Sequence, residues 1–204
     1  MRLTLCLLFL ATPALANDGF GGLSATGLTF GQTDAVAMLE EDLYIGIDRI
    51  AVDYVFRNTT ATDVTGEVIF PLPPVHVWSA YEAMMNLPEA PTVVDLVDFT
   101  ATVDGQPVAV TIDRIAVQEV AFDQEIPLSR QYDDPGRDVT AELERFGIPL
   151  TLDYMAVREV LLSLPEGSRN ELAAQGLAEY YEGDPAQGVP PDVWGNWSIV
   201  TRYH

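Results

Sequence analysis

The stretch that most constrains the fold is residues 50–57, where Ile50, Val52, Tyr54 and Phe56 alternate with Ala51, Asp53, Val55 and Arg57. A period of two over eight residues puts the large apolar side chains on one face of a strand, a pattern that a helix would scatter around its circumference. Residues 58–63 are short, polar and rich in turn formers, and Val64, Gly66, Val68 and Phe70 restart the alternation. Read locally, residues 50–70 predict a β-hairpin with a loop longer than the tightest class. Pro71 and Pro73 then end the second strand, because neither has an N–H to donate and each forces its predecessor into extended backbone. Phe70 and Leu72 would remain aimed inward, in one core with Phe56, and burying the pair would contribute about 3–6 kcal/mol.

Around this stretch the sequence reads as more short strands. Leu28 and Phe30 suggest one, and residues 35–38 and 43–47 suggest two more flanking a turn at Glu40, Glu41 and Asp42. Residues 77–84 read as a strand or extended edge, and 87–91 as a proline-bounded loop. Residues 99–103 and 106–112 flank Asp104-Gly105, a strong hairpin signal because a type I′ turn needs positive φ at both central positions. Residues 115–122 extend the sheet or cross to a facing one. Many short strands at this spacing predict a mainly β fold, an antiparallel β-sandwich.

The pattern then changes. Asp138 is placed to cap a helix over 139–146 that stops at Gly147. Leu152, Met155, Val160 and Leu164 recur at helical spacing, and a third helix is predicted over 165–175, with Pro165 in its first turn and Gly176 past its end. After a loop over 183–191, Trp197, Ile199, Thr201 and Tyr203 alternate as a last strand. The expected organisation is a signal peptide over 1–16, a β-sandwich over 17–130, a helical segment over 131–192 and a strand over 193–204 that returns to the sheet.

Several short motifs together resemble a bacterial secreted family known as domain of unknown function 4424. They are Tyr-Val-Phe-Arg-Asn-Thr (54–59), the later Phe-Pro-Leu-Pro (70–73), Glu-Glu-Asp-Leu-Tyr-Ile (40–45), Asp-Val-Thr (138–140) and Gly-Ile-Pro-Leu (147–150). The hairpin alone also resembles the vault and inter-alpha-trypsin type β-domain over about residues 48–112. Neither resemblance supplies a catalytic residue. Chains of the first family generally run on beyond a strand like 197–204, so that resemblance implies a fragment or a shortened member.

Residues 1–16 have the order of an export signal: Arg2, an apolar run over 3–11, and Ala14-Leu15-Ala16 before Asn17. The run is too short for a bilayer, which needs about 20 residues. Cleavage after Ala16 would remove Cys6, the one cysteine, and leave a periplasmic or extracellular chain with no stable membrane insertion. Loss of Cys6 also removes thiol catalysis, a cysteine zinc site and a disulfide framework. Thirty-one acidic residues face ten basic ones, all arginine, for a formal net charge of −21. That surface repels phosphate backbones and anionic lipid, which argues against nucleic acid or a membrane as partner.

The candidate chemistry assembles into no site. His76 and His204 are the only histidines, and a zinc site would need carboxylates to complete it. Ser79 and Ser129 have no base nearby in sequence and no Gly-x-Ser-x-Gly frame. Asp133, Asp134 and Asp138 surround Pro135-Gly136 but lack calcium-loop spacing, and a turn with a helix cap accounts for them. Asp95 with Asp98, or Glu40 with Glu41, could serve acid–base glycoside chemistry only across a cleft. Trp194, Trp197, Tyr180 and Tyr181 could form a binding platform, although core packing against the last strand accounts for them more simply. No catalytic, cofactor-binding or metal residue is therefore assigned, and no cofactor. The reading is an exported, non-catalytic protein that binds another envelope protein or a small ligand. The alternative is a hydrolase or metal-dependent enzyme built from Asp and Glu. A deep pocket with converging buried polar groups would favour the enzyme, and a broad exposed apolar patch the binder.

Mass spectrometry of the protein recovered from the envelope should give Asn17 as its first residue. Recovery with Met1 intact would remove the export reading.

Overall fold

The computed structural model describes residues 29–30, 35–66, 68–82, 93–120, 125 and 136–204. Its organising element is β12 (Ser198–Tyr203), the centre of a curled, half-barrel sheet of six strands. On one side β12 pairs along its whole length with β8 (Ile112–Gln118), from Ser198↔Val117 to Tyr203↔Ile112. On the other it pairs first with β5 (Val75–His76) and then with β4 (Val68–Pro71), which is flanked in turn by β1 (Thr29–Phe30). The prolines of residues 71–74 explain the break between β4 and β5. A strand without donors at 71, 73 and 74 cannot form an unbroken ladder, so the chain touches β12 twice and bows between. Within the bow, the Leu72 N–H still donates to the Thr201 carbonyl at 2.8 Å. β9 (Arg137–Asp138) completes the sheet beside β8, and every pairing is antiparallel.

Burial along β12 follows from this position. Ser198, Ile199, Val200, Thr201 and Tyr203 are all at most 1% exposed, so both faces of the strand are covered. The helical layer covers one of them. α1 (Val77–Glu82) follows β5 directly, and α2 (Thr140–Arg145) lies against β8. α3 (Tyr154–Ser163) and α4 (Glu166–Ala174) pack on a ribbon formed by β10 (Ala178–Tyr181) and β11 (Asp192–Gly195). Val77, Ala116, Leu143, Val157, Leu161, Leu172 and Ile199 belong to one buried cluster, so sheet and helices share a core. Gly195 is fixed by that packing, since a Cβ there would lie 2.6 Å from the Trp197 ring.

The mainly β, antiparallel architecture with helices inserted before the last strand matches the sequence reading. So do the helix boundaries. Asp153 caps α3 by accepting from the Ala156 N–H at 3.2 Å, and Asp138 accepts from the Thr140 N–H at 2.9 Å just ahead of α2. Gly147 and Gly176 take positive φ where the helices before them stop. The Asp104-Gly105 turn joins β6 (Ala101–Val103) to β7 (Gln106–Val108), with φ of 50° and 73° as a type I′ turn requires.

Five local expectations are corrected. Residues 50–70 do not form a hairpin. β3 (Ile50–Asn58) pairs instead with β2 (Val36–Ile45), while β4 joins the main sheet. The supposed turn at 40–42 lies inside β2, which runs unbroken past a bulge between Met38 and Glu40. Alternation fixes which side chains share a face but not which strand is the neighbour. Phe56 and Phe70 consequently lie in different sheets. Phe56 stacks on Tyr54 in the β2–β3 ribbon, whereas Phe70 meets Phe99, which stacks on Tyr203. Residues 77–82 are helical rather than extended, and the segment expected to be helical over 131–192 also holds β10, whose partner β11 begins at its end. The expected signal peptide and the loop over 87–91 lie outside the described residues.

Truncating Leu161, which is fully buried among the helices, should cost about 2–5 kcal/mol in chemical denaturation through lost transfer energy plus a cavity. Ile45→Ala, at an exposed position of β2, should change stability by less than about 0.5 kcal/mol.

Candidate functional site

The residues singled out from sequence scatter over the fold. Asp95 organises the loop over 93–99: its Oδ1 accepts from the Val97 and Phe99 N–H groups at 3.3 Å and from the Tyr203 hydroxyl at 3.0 Å. Burial pushes its carboxyl up, but these hydrogen bonds outweigh it and hold the carboxyl below its ordinary value. The Tyr203 hydroxyl, which also accepts from the Leu96 N–H at 3.1 Å, is pushed up to about 12 by burial and by the Asp95 charge. Asp98 stands exposed in the same loop with φ of 53°. The arrangement ties a loop to the central strand. It opens no cleft between two carboxyls.

His76, Ser198 and Glu119 form a grouping that sequence reasoning missed. Backbone register places His76 and Val117 on either side of Ser198, so their side chains share a face. The Ser198 hydroxyl donates to Glu119, and the buried His76 Nδ1 has no hydrogen-bond partner among the described residues. Ser198 is fully buried and its hydroxyl is engaged by the carboxylate, so this grouping presents no nucleophile to a substrate. Three residues from distant strands leave no local signal in sequence.

His204 lies 3.2 Å from Asp113, whose carboxylate also accepts from Arg202 Nε at 2.7 Å. Hydrogen bonding from Arg202, with His204 adding to it, lowers the Asp113 carboxyl despite partial burial. Ser79 is exposed on α1, while Ser129, Asp133 and Asp134 lie outside the described residues. Among the described residues no group of three or more potential metal ligands comes together. Trp197 is core, and Tyr180 packs against it from the side. Trp194 joins Trp78 at 6.2 Å between ring centroids, and Trp78 meets Tyr154 edge-on at 4.7 Å. The Tyr154 hydroxyl donates to the Val193 carbonyl at 2.8 Å, and Arg158 Nε donates to Asp192 at 2.6 Å, so this aromatic cluster locks α3 to β11. Tyr181 alone of the aromatic candidates stands exposed.

Two concavities among the described residues are open to solvent. One lies along α3 beside Met155 and Glu159, and the other beside Glu119, Arg137 and Asn196. The broad surface feature lies elsewhere, on the β2–β3 ribbon. Pairing puts Met38, Leu43, Ile45, Ile50, Val52, Tyr54 and Phe56 on one face, with Glu41 the only charge among them. The opposite face carries Glu40, Asp42, Tyr44, Ala51, Asp53, Val55 and Arg57. Leu43 is 53% exposed, Ile45 70% and Ile50 69%, so the apolar face is open toward its tip. No other described element packs substantially on the ribbon.

The ribbon is held by its own contacts. Gly46 N–H donates to the Arg49 carbonyl at 2.9 Å across the tip, and Thr59 N–H to the Ala35 carbonyl at 2.8 Å at the base. Tyr54 stacks on Phe56 at 5.5 Å, and burial together with the Glu41 charge raises the Tyr54 phenol. Asn58 closes the following loop by accepting from Thr60 N–H at 2.8 Å and donating to the Thr62 carbonyl at 2.7 Å. The alternation over 50–57 was visible in sequence. Its partner was hidden behind three consecutive acidic residues that read as a turn.

Fold and surface thus define a mainly β protein with a helical layer on one curled sheet and an amphipathic ribbon beside it. The chain belongs to the family described as Domain of unknown function (DUF4424), which matches residues 16–201. No curated protein and no solved structure matches it. The likeness to the vault and inter-alpha-trypsin type β-domain finds no support in the family match, and the hairpin that carried it is not formed.

Asp95 and Asp113 are both held below the ordinary carboxyl value of 3.8. Their contribution to stability is fully present above that value and is lost as pH falls through the lower folded-state values. Tyr203→Phe removes one hydrogen bond from Asp95 and should cost about 0.5–2 kcal/mol at neutral pH. It should also shrink the stability lost in acid, which denaturation series above and below pH 3.8 would measure.

Proposed function

We propose that this is an exported, non-catalytic protein of the periplasm or cell envelope that works by binding a partner through the β2–β3 ribbon. The carrying observation is the exposed apolar face of that ribbon, with Leu43, Ile45 and Ile50 open to solvent. Contiguous exposed apolar surface costs solubility, and where it is retained it marks an interaction site. Two-stranded ribbons are at best marginally stable alone, which makes docking of this face favourable for the ribbon as well as for the complex. Export is supported by the order of Arg2, the apolar run and Ala14-Leu15-Ala16. The acidic surface, at a formal charge of −21, favours a protein over nucleic acid or anionic lipid.

Leu43→Asp and Ile45→Asp lie on exposed positions and should leave chemical denaturation within about 0.5 kcal/mol of the parent. Each should abolish cross-linking to an envelope partner, identified by mass spectrometry and rebound in purified form. Unchanged cross-linking would remove the ribbon from the interface. Turnover in hydrolase and carbohydrate substrate panels that disappears when one carboxylate becomes its amide would replace binding with the catalytic alternative.

A further inference from the structure

We infer that the outer edge of β2 takes up an extended segment of a basic, amphipathic partner as a third strand, a reading that rests on the docking role proposed above and names the partner's chemistry. The β2–β3 sheet has two strands, so among the described residues the outer edge of each is unpaired. An unpaired edge offers a row of backbone donors and acceptors to an incoming strand, and alternate side-chain positions then set its specificity.

The two faces dictate what such a strand must carry. On one face it would lie beside Leu43 and Ile45 and continue the apolar surface. On the other it would lie beside Glu40 and Asp42. Asp42 is moreover directly opposite Asp53, a like-charged cross-strand pair that destabilises the ribbon in isolation. An arginine or lysine seated next to Asp42 turns that repulsion into attraction. The complementary sequence therefore alternates apolar and basic residues.

β2 is the better edge. On β3 the acidic-face positions are Ala51, Asp53, Val55 and Arg57, whose arginine would repel a basic segment. The β-bulge between Met38 and Glu40 bends β2 at its base, so regular pairing extends over residues 40–45, about 20 Å of strand.

A second copy of this chain does not fit. Its own β2 would bring Glu40, Glu41 and Asp42 against the same carboxylates, on a molecule already at −21. Nor do other stretches of this chain supply the charge: residues 17–28, 83–92 and 121–135 contain one arginine between them, Arg130. The occupant is a different, basic protein segment.

The test uses the full chain and two eight-residue peptides, one alternating valine or isoleucine with lysine, the other with glutamate in place of every lysine. By calorimetry in about 50 mM salt the lysine peptide should bind at least about tenfold more tightly, and about 500 mM salt should remove most of the difference. Backbone hydrogen exchange should slow at residues 40–45. The double variant Glu40→Lys/Asp42→Lys should reverse the preference toward the glutamate peptide. Equal binding of both peptides, binding of neither, protection on β3 instead, or a preference unmoved by the double variant would each overturn the inference. A dimer in sedimentation that Leu43→Asp dissociates would overturn it in favour of a second copy. If the peptides fail while Leu43→Asp still abolishes cross-linking to an envelope partner, the ribbon docks something of other chemistry. If both fail, the docking role itself is lost.

Discussion

Pairing on both sides of one strand is the constraint on which the rest of the structure depends. β12 takes its full ladder from β8 and a broken one from β4 and β5, and all its side chains but that of Arg202 are buried on the faces of the sheet. A strand covered on both faces favours partnered polar groups, and three of its polar side chains are matched, while the buried Thr201 hydroxyl has no hydrogen-bond partner among the described residues. The Ser198 hydroxyl reaches Glu119, the Tyr203 hydroxyl reaches Asp95, and Arg202 pairs with Asp113. Each tie reaches a different part of the chain, so β12 fixes a loop, a sheet neighbour and a strand end together. The helices complete the enclosure because Ile199 and Ala116, neighbours across the β12–β8 ladder, form the floor on which Leu143, Leu161 and Leu172 pack.

The ribbon of β2 and β3 belongs to another regime. It joins the sheet through the self-bonded loop after Asn58, yet it contributes no residue to the buried cluster. Its order comes from ladder hydrogen bonds, from Tyr54 stacked on Phe56 and from a four-residue tip. Stability is distributed accordingly. The sheet and helices hold a dense core, and the ribbon holds a surface.

Much of the fold was legible in the sequence because its signals are local. Asp104-Gly105 dictates its turn through backbone sterics alone, and Gly147 and Gly176 end helices for the same reason. Asp153, which caps α3 by accepting a free N–H at its start, is a signal of the same local kind that the sequence reading passed over. Strand partners were not legible. Ile50, Val52, Tyr54 and Phe56 announce a face, but nothing local says that Met38 and Leu43, rather than Val68 and Phe70, lie across from them. The run Glu40-Glu41-Asp42 has low strand propensity and was read as a turn, whereas cross-strand pairing overrides that propensity. The candidate site was legible as an alternating strand and invisible as a surface, since exposure is decided by what the other elements leave uncovered.

The distance in sequence between β12 and its partners has a consequence for how this sheet comes to be folded. Residues 198–203 pair with residues 70–76 and 112–117, so the sheet cannot close until the chain from 70 to 203 is present. Contacts this far apart in sequence carry a loop-closure entropy that local contacts do not, and topologies dominated by them fold slowly. Before that closure β4 has only β1 beside it, β8 has only β9, and β5 has no partner among the described strands. A polypeptide that emerges from its N-terminus is therefore kept open along this sheet by its own topology, and closure waits on residues 198–203.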